Sequence, residues 1–161
     1  MGLLSFVKEA GEKLFYHDAA AAATLSEEQL KTANGRAADA ITSYIEAQGL
    51  KATGLTVTYD GMTGTVIVYG IAPNQQTKEK IVLCCGNVKN VESVNDQMTV
   101  DQSEPKAQYY TVVKGDTLSK ISKEYYGNPN KYNAIFEANK PMLKTPELIY
   151  PGQMLRIPTQ P

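Results

Sequence analysis

The chain has 161 residues, with 16 Lys or Arg against 17 Asp or Glu and a single His, a formal net charge of −1. That length suits one ordinary domain or two small ones. A charge so near zero excludes the broad basic footprint of a nucleic-acid binder, and the absence of any apolar run near ~20 residues argues against a membrane-spanning helix.

Residues Met1 to Lys8 meet Glu9 and Glu12 before a signal peptide's apolar region can form, so a standard export leader is not expected. Phe6 stands where a myristoylation motif at Gly2 needs Ser or Thr. Leu3, Val7, Ala10 and Leu14 fall at helical spacing, with Lys8, Glu9, Glu12 and Lys13 around the rest of the turn. They predict a short amphipathic helix from Leu3 to Phe15, which Gly11 weakens or ends. The alanine run from Ala19 to Ala23 reads as a linker or a helix extension. Both Thr24 to Glu27 and Ser26 to Gln29 match the spacing of a capping box, which starts a second helix. It should run to Gln48-Gly49, with Asn34-Gly35 as the point where it can break.

Leu55 to Tyr59 alternates with period two, Asp60 to Gly64 is turn chemistry, and Thr65 to Tyr69 is a second strand, together a β-hairpin. Pro73 opens a helix that should stop at Gly86-Asn87, and a third strand passes through Met98 to Val100. Gln102 to Ala107 is polar and contains a proline, a linker too short to let its flanks wander. Beyond it, Gln108 to Lys114 and Met154 to Pro158 should pair around two helices. Asp116 is placed to cap the first of these and Gly127 to end it, and Asn128-Pro129 starts the second.

Little here could assemble a catalytic constellation. His17 has no identifiable partner and reads as solvated surface. Cys84 and Cys85 are adjacent, so they cannot cross-link distant segments, which agrees with a reducing compartment. Lys80 and Lys89 could lower a thiol pKa, but one core cysteine and one half-exposed cysteine is the favoured reading. No zinc spacing and no glycine-rich phosphate loop is present.

From Tyr109 to Pro158 the order is Tyr-Thr-Val-Val-Lys-Gly-Asp-Thr-Leu, a helical run ending Tyr-Tyr-Gly-Asn-Pro, then Tyr-Asn-Ala-Ile-Phe-Glu-Ala-Asn-Lys-Pro and Ile-Tyr-Pro-Gly-Gln-Met-Leu-Arg-Ile-Pro. This stretch closely resembles a LysM domain. The order helix, two strands, helix, strand, with Gly-Asn-Val-x-x-Val-x-x-Val-x-Asp from Gly86 to Asp96, resembles a BON domain. An α+β chain is therefore expected, with an N-terminal helical segment (1–16), a BON domain (17–101), a linker (102–107) and a LysM domain (108–161).

The whole arrangement resembles the family of small cytoplasmic potassium-binding proteins of bacteria. That resemblance implies a non-enzymatic, cytoplasmic chain, expected to be a monomer, whose ligand is K+. Main-chain oxygens of Val7, Lys8, Ala10, Gly86, Val88 and Val91 are implied as its ligands. Helix ends suit that role, because the last turn leaves about four carbonyls without helical partners and carries partial negative charge. Neutral carbonyls suit a large monovalent ion and not Mg²⁺ or Ca²⁺.

Two other readings start from the same residues. In LysM domains the loops matching Gly115, Asp116, Thr117 and Leu118 and Ile149, Tyr150, Pro151 and Gly152 form a groove for N-acetylglucosamine polymers, as in an envelope protein that binds peptidoglycan. Alternatively, Leu3, Leu4, Phe6 and Val7 could anchor a phospholipid-binding osmotic-stress protein at an interface, although so few basic residues attract anionic lipid weakly. Tyrosines at 109, 110, 125, 126, 132 and 150 suit docking against the first domain as well as sugar.

Overall fold

Helix α1 (Glu27–Ala47) starts at a reciprocal cap: the Gln29 N–H donates to Ser26 Oγ at 3.2 Å, and the Ser26 N–H donates to Gln29 Oε1 at 3.0 Å. The computed structural model describes residues 23–102 and 106–159. The helix runs unbroken through Asn34-Gly35. A helical glycine costs about 1 kcal/mol relative to alanine. Burial of Ala37, Ala38, Ile41 and Ile45 on one face offsets that cost, and Asn34 Oδ1 ties the helix to the hairpin turn by accepting the Gly61 N–H at 3.0 Å.

Strands β1 (Thr53–Asp60) and β2 (Thr65–Ala72) form the expected antiparallel hairpin. Strand β3 (Ser93–Val100) lies parallel to β2 along its whole length, from Thr65↔Ser93 to Ala72↔Val100. A parallel neighbour needs a crossover, and helix α2 (Gln75–Gly86) supplies it. Both hairpin strands run longer than expected, and two further boundaries differ. Pro73 lies just ahead of the true N-cap, Asn74, whose Oδ1 accepts the Thr77 N–H at 2.8 Å. Strand β3 begins five residues before Met98, because Ser93, Asn95, Gln97 and Thr99 occupy a solvent-facing row that carries no apolar signal.

The second module is a ribbon of β4 (Gln108–Thr111) and β5 (Met154–Ile157), antiparallel, with helices α3 (Leu118–Tyr126) and α4 (Tyr132–Ala138) between them. The ribbon is shorter than expected, since pairing stops at Thr111↔Met154. Thr117, not Asp116, caps α3, with its Oγ1 accepting the Lys120 N–H at 3.1 Å. Asp116 instead folds back on the loop, accepting the Tyr110 hydroxyl at 2.5 Å and the Val113 N–H at 2.9 Å. Gly127, in the left-handed region, ends α3 as expected, whereas Asn128 opens a 3₁₀ turn, Pro129–Lys131, and α4 starts only after it with no side-chain cap.

Each module has its own core. In the first, Ile41 and Ile45 of α1 and Ile81, Cys84 and Cys85 of α2 meet Val57, Val66, Val68 and Met98 of the sheet. In the second, Val112, Leu118, Ile121, Ile135, Leu143, Leu155 and Ile157 gather. Both cysteines belong to the first core, 1 % and 0 % exposed, so neither is half-exposed. Burial pushes the Cys85 thiol well above its usual range, the opposite of activation by a nearby lysine.

Candidate functional site

Of the residues implied as ion ligands, Gly86, Val88 and Val91 sit together in the turn that carries the chain from α2 into β3, while Val7, Lys8 and Ala10 lie outside the described residues. Leu3, Leu4, Phe6 and His17 lie outside them as well. The turn is built from main-chain bonds: Asn87 N–H to the Leu83 carbonyl at 3.1 Å, Val88 N–H to Cys85 at 3.4 Å, and Val91 N–H to Val88 at 3.2 Å. The Tyr59 hydroxyl, reaching from β1, donates to the Asn90 carbonyl at 3.1 Å. The residue that turns the chain is Asn90, with φ of 75°, whereas Gly86 is the last helical residue.

Gly86 serves a different purpose. A Cβ there would lie 2.4 Å from Cε of Met154, so the glycine admits the β5 strand of the second module against the end of α2. Gly86 is buried, and among the described residues nothing donates to its carbonyl. The Val88 carbonyl accepts one bond and keeps a second lone pair. The α2 dipole adds partial negative charge at the same place. Among the described residues no group of three or more His, Cys, Asp or Glu could hold a metal ion. What this turn offers a cation is neutral main-chain oxygen, the donor type that fits a large monovalent ion.

Directly beside the turn the two modules are joined. Asn87 turns its side chain away from the helix and onto Met154, accepting the Met154 N–H on Oδ1 at 2.8 Å and donating from Nδ2 to the Met154 carbonyl at 3.0 Å. Two turns earlier on α2, Glu79 meets Arg156 of β5 at 2.9 Å, with side chains only 3 % and 9 % exposed. The second Glu79 oxygen accepts the Ala107 N–H at 2.8 Å, which pins the linker's end to the same helix. Met142 of the second module also packs on the first core. Next to these contacts lies a cleft of about 400 Å³, walled by Val82, Gly86 and Asp96 on one side and Tyr109, Thr111 and Met154 on the other. Burial raises the pKa of the Tyr109 hydroxyl in this cleft, and elsewhere on α2 burial, then the nearby Arg156 guanidinium, lowers that of the Lys80 ammonium.

Sequence reasoning missed Glu79, Asn87 and Arg156. The apolar run Ile81-Val-Leu-Cys-Cys could have signalled that α2 is covered on both sides, as the continuous burial of Ile81 to Gly86 shows, but it names no partner.

The candidate sugar loops are adjacent but largely structural. The Gly152 N–H donates to Val112 at 2.7 Å and the Val112 N–H donates to Gln153 at 2.8 Å, which brings the start of one loop to the end of the other. Gly115 and Gly152 hold φ of 91° and 86°, Thr117 caps α3, Leu118 is core, and Ile149 packs on that core. The hydrogen bond to Asp116 holds the Tyr110 phenol protonated, its pKa pushed up to about 12. Tyr150 is half-buried and Pro151 exposed. Of the other tyrosines, Tyr126 donates to the Pro158 carbonyl at 2.6 Å, and Tyr110 meets Tyr125 edge-on at 5.8 Å.

Comparison with known proteins agrees with this division. The family model of the BON domain matches residues 34–102, and that of the LysM domain matches residues 110–158. An uncharacterized protein of Deinococcus radiodurans is 51 % identical over 49 residues, 30 % of this chain and 19 % of that protein. The potassium binding protein Kbp of Escherichia coli O6:H1 (strain CFT073) is 47 % identical over 165 residues, which takes in 99 % of this chain and 100 % of Kbp. A likeness of that depth, end to end and with both domains in the same chain, means that this protein belongs to the Kbp family.

Proposed function

We propose that this protein is a non-enzymatic, cytoplasmic potassium-binding protein in which main-chain oxygens of Val7, Lys8, Ala10, Gly86, Val88 and Val91 hold the ion. Occupancy favours the docked arrangement of the two modules. The observation that carries this reading is the 47 % identity to Kbp across the chain's length, and the buried Gly86 carbonyl, to which no described residue donates, supports it. Dehydrating K⁺ is easier than dehydrating Mg²⁺, and a set of neutral carbonyls at a helix C-terminus has the field to replace its water. An ion that binds only the compact state stabilises it by mass action. The melting temperature should therefore rise with KCl and not with NaCl at equal ionic strength. Equal responses to the two salts reject selectivity.

A second reading, a binder of N-acetylglucosamine polymers in the cell envelope, is supported by the LysM match and by the bond from Gly152 to Val112 that sets the two loops side by side. Pull-down on purified peptidoglycan with cell fractionation tests it. Retention on the wall with no potassium response would exchange the two readings.

A further inference from the structure

Asn87 belongs to two structures at once. Its main chain links the Gly86 and Val88 peptides, and its N–H closes the last turn of α2 on the Leu83 carbonyl at 3.1 Å. Its side chain holds both main-chain groups of Met154, at 2.8 and 3.0 Å. The amide stands where a neighbouring strand would stand on the outer edge of β5. Two bonds of that length, made by one planar group, tolerate little displacement. Because peptide units are rigid planes hinged at Cα atoms, turning the Gly86 carbonyl toward an ion rotates the plane it shares with the Asn87 N–H, alters the dihedral angles at Asn87 and swings its Cβ. Gly86 lets the end of the Met154 side chain lie close beside the turn, with the place of a Cβ only 2.4 Å from Met154 Cε.

We propose that Asn87 is a positioning residue that couples the ion-holding turn to the C-terminal module, so that potassium binding and docking of β5 strengthen one another through this side chain. The inference rests on the potassium reading above and adds to it the residue that transmits occupancy. Coupling of this kind is reciprocal: whatever docking gains from the ion, the ion gains from docking. The Glu79–Arg156 pair plays a different part. It holds the modules together from two turns back on α2, at 2.9 Å, and shares no peptide with the turn, so it adds cohesion without responding to the ion.

The test uses the full chain. Potassium affinity is measured by calorimetry, and docking by hydrogen exchange of the Ala107 amide, which, just ahead of β4, donates to Glu79 of α2 at 2.8 Å in a bond that does not involve Asn87. In the unaltered protein, KCl slows this exchange. In Asn87→Ala the extra protection conferred by KCl disappears, and potassium affinity falls about fivefold or more. Glu79→Gln, which keeps an oxygen for the Ala107 N–H, lowers protection with and without KCl but preserves the increment. An Asn87→Ala protein whose affinity and KCl-dependent increment match those of the parent overturns the coupling and leaves the ion reading standing. Absence of any potassium response in the parent overturns the ion reading itself. Should Asn87→Ala fold poorly, Asn87→Ser, too short to span both Met154 groups, gives the same two outcomes.

Discussion

Two asparagines close the outer edge of β5, and they differ in where they come from. Asn139, at the end of α4, accepts the Arg156 N–H at 2.7 Å and donates to the Arg156 carbonyl at 2.8 Å, with a further bond to the Ile135 carbonyl at 2.7 Å. Asn87 makes the same pair of bonds two residues earlier, to Met154, but reaches across from the other module. Asn139 is 2 % exposed, whereas Asn87 is half-buried. Identical chemistry therefore has unequal consequences. Groups left by a buried amide find no water and bear the full cost of desolvation, whereas groups left by a half-buried one can be resolvated. The inner clamp belongs to the fold of its module, and the outer clamp can open.

The largest way to sharpen that contrast is Glu79→Ala, which leaves the buried Arg156 guanidinium without its partner at a cost of about 3–5 kcal/mol. Because each module keeps its own core, a single melting transition is expected to split in two; one transition shifted as a whole would mean that the modules do not fold independently. Asn139→Ala should cost about 1–3 kcal/mol for each buried group it orphans, seen by denaturant melting as loss of the second module alone. Gly86→Ala is smaller. The added methyl meets the flexible end of Met154, the helix gains about 1 kcal/mol of propensity, and the net effect is weaker docking that Met154→Ala should restore. A double-mutant cycle with no coupling between positions 86 and 154 would break the assignment of Gly86 to the contact. The smallest effect is a titration. The Tyr110 pKa is raised above its unfolded value, so its contribution is complete below about pH 10 and is lost as pH climbs toward the folded value of about 12. Asp116→Asn should bring Tyr110 back toward the ordinary range, read by ultraviolet titration, and erase that part of the alkaline loss.

Much of the fold was legible because its signals are local. The hairpin at Asp60 to Gly64, the Ser26–Gln29 box and the Gly127 cap each follow from residues a few positions apart. Details left open or misplaced are those that a tertiary contact decides. Asn34-Gly35 stays helical because Gly61 and a buried face hold it, and Asp116 leaves the cap to Thr117 because Tyr110 competes for its carboxylate. The same limit applies to the candidate site. The positions 86, 88 and 91 came from family resemblance, since main-chain ligands leave almost no trace in side-chain identity. Glu79 pairing with Arg156 spans 77 positions, and nothing in either neighbourhood announces the other.

The outer edge of β5 is only four residues long, and Asn139 goes on covering Arg156 even with the modules apart. Separation would bare the main-chain groups of Met154 alone, too little for another chain to add itself as a strand. A molecule arranged in this way can breathe open without offering a strand edge long enough to template aggregation.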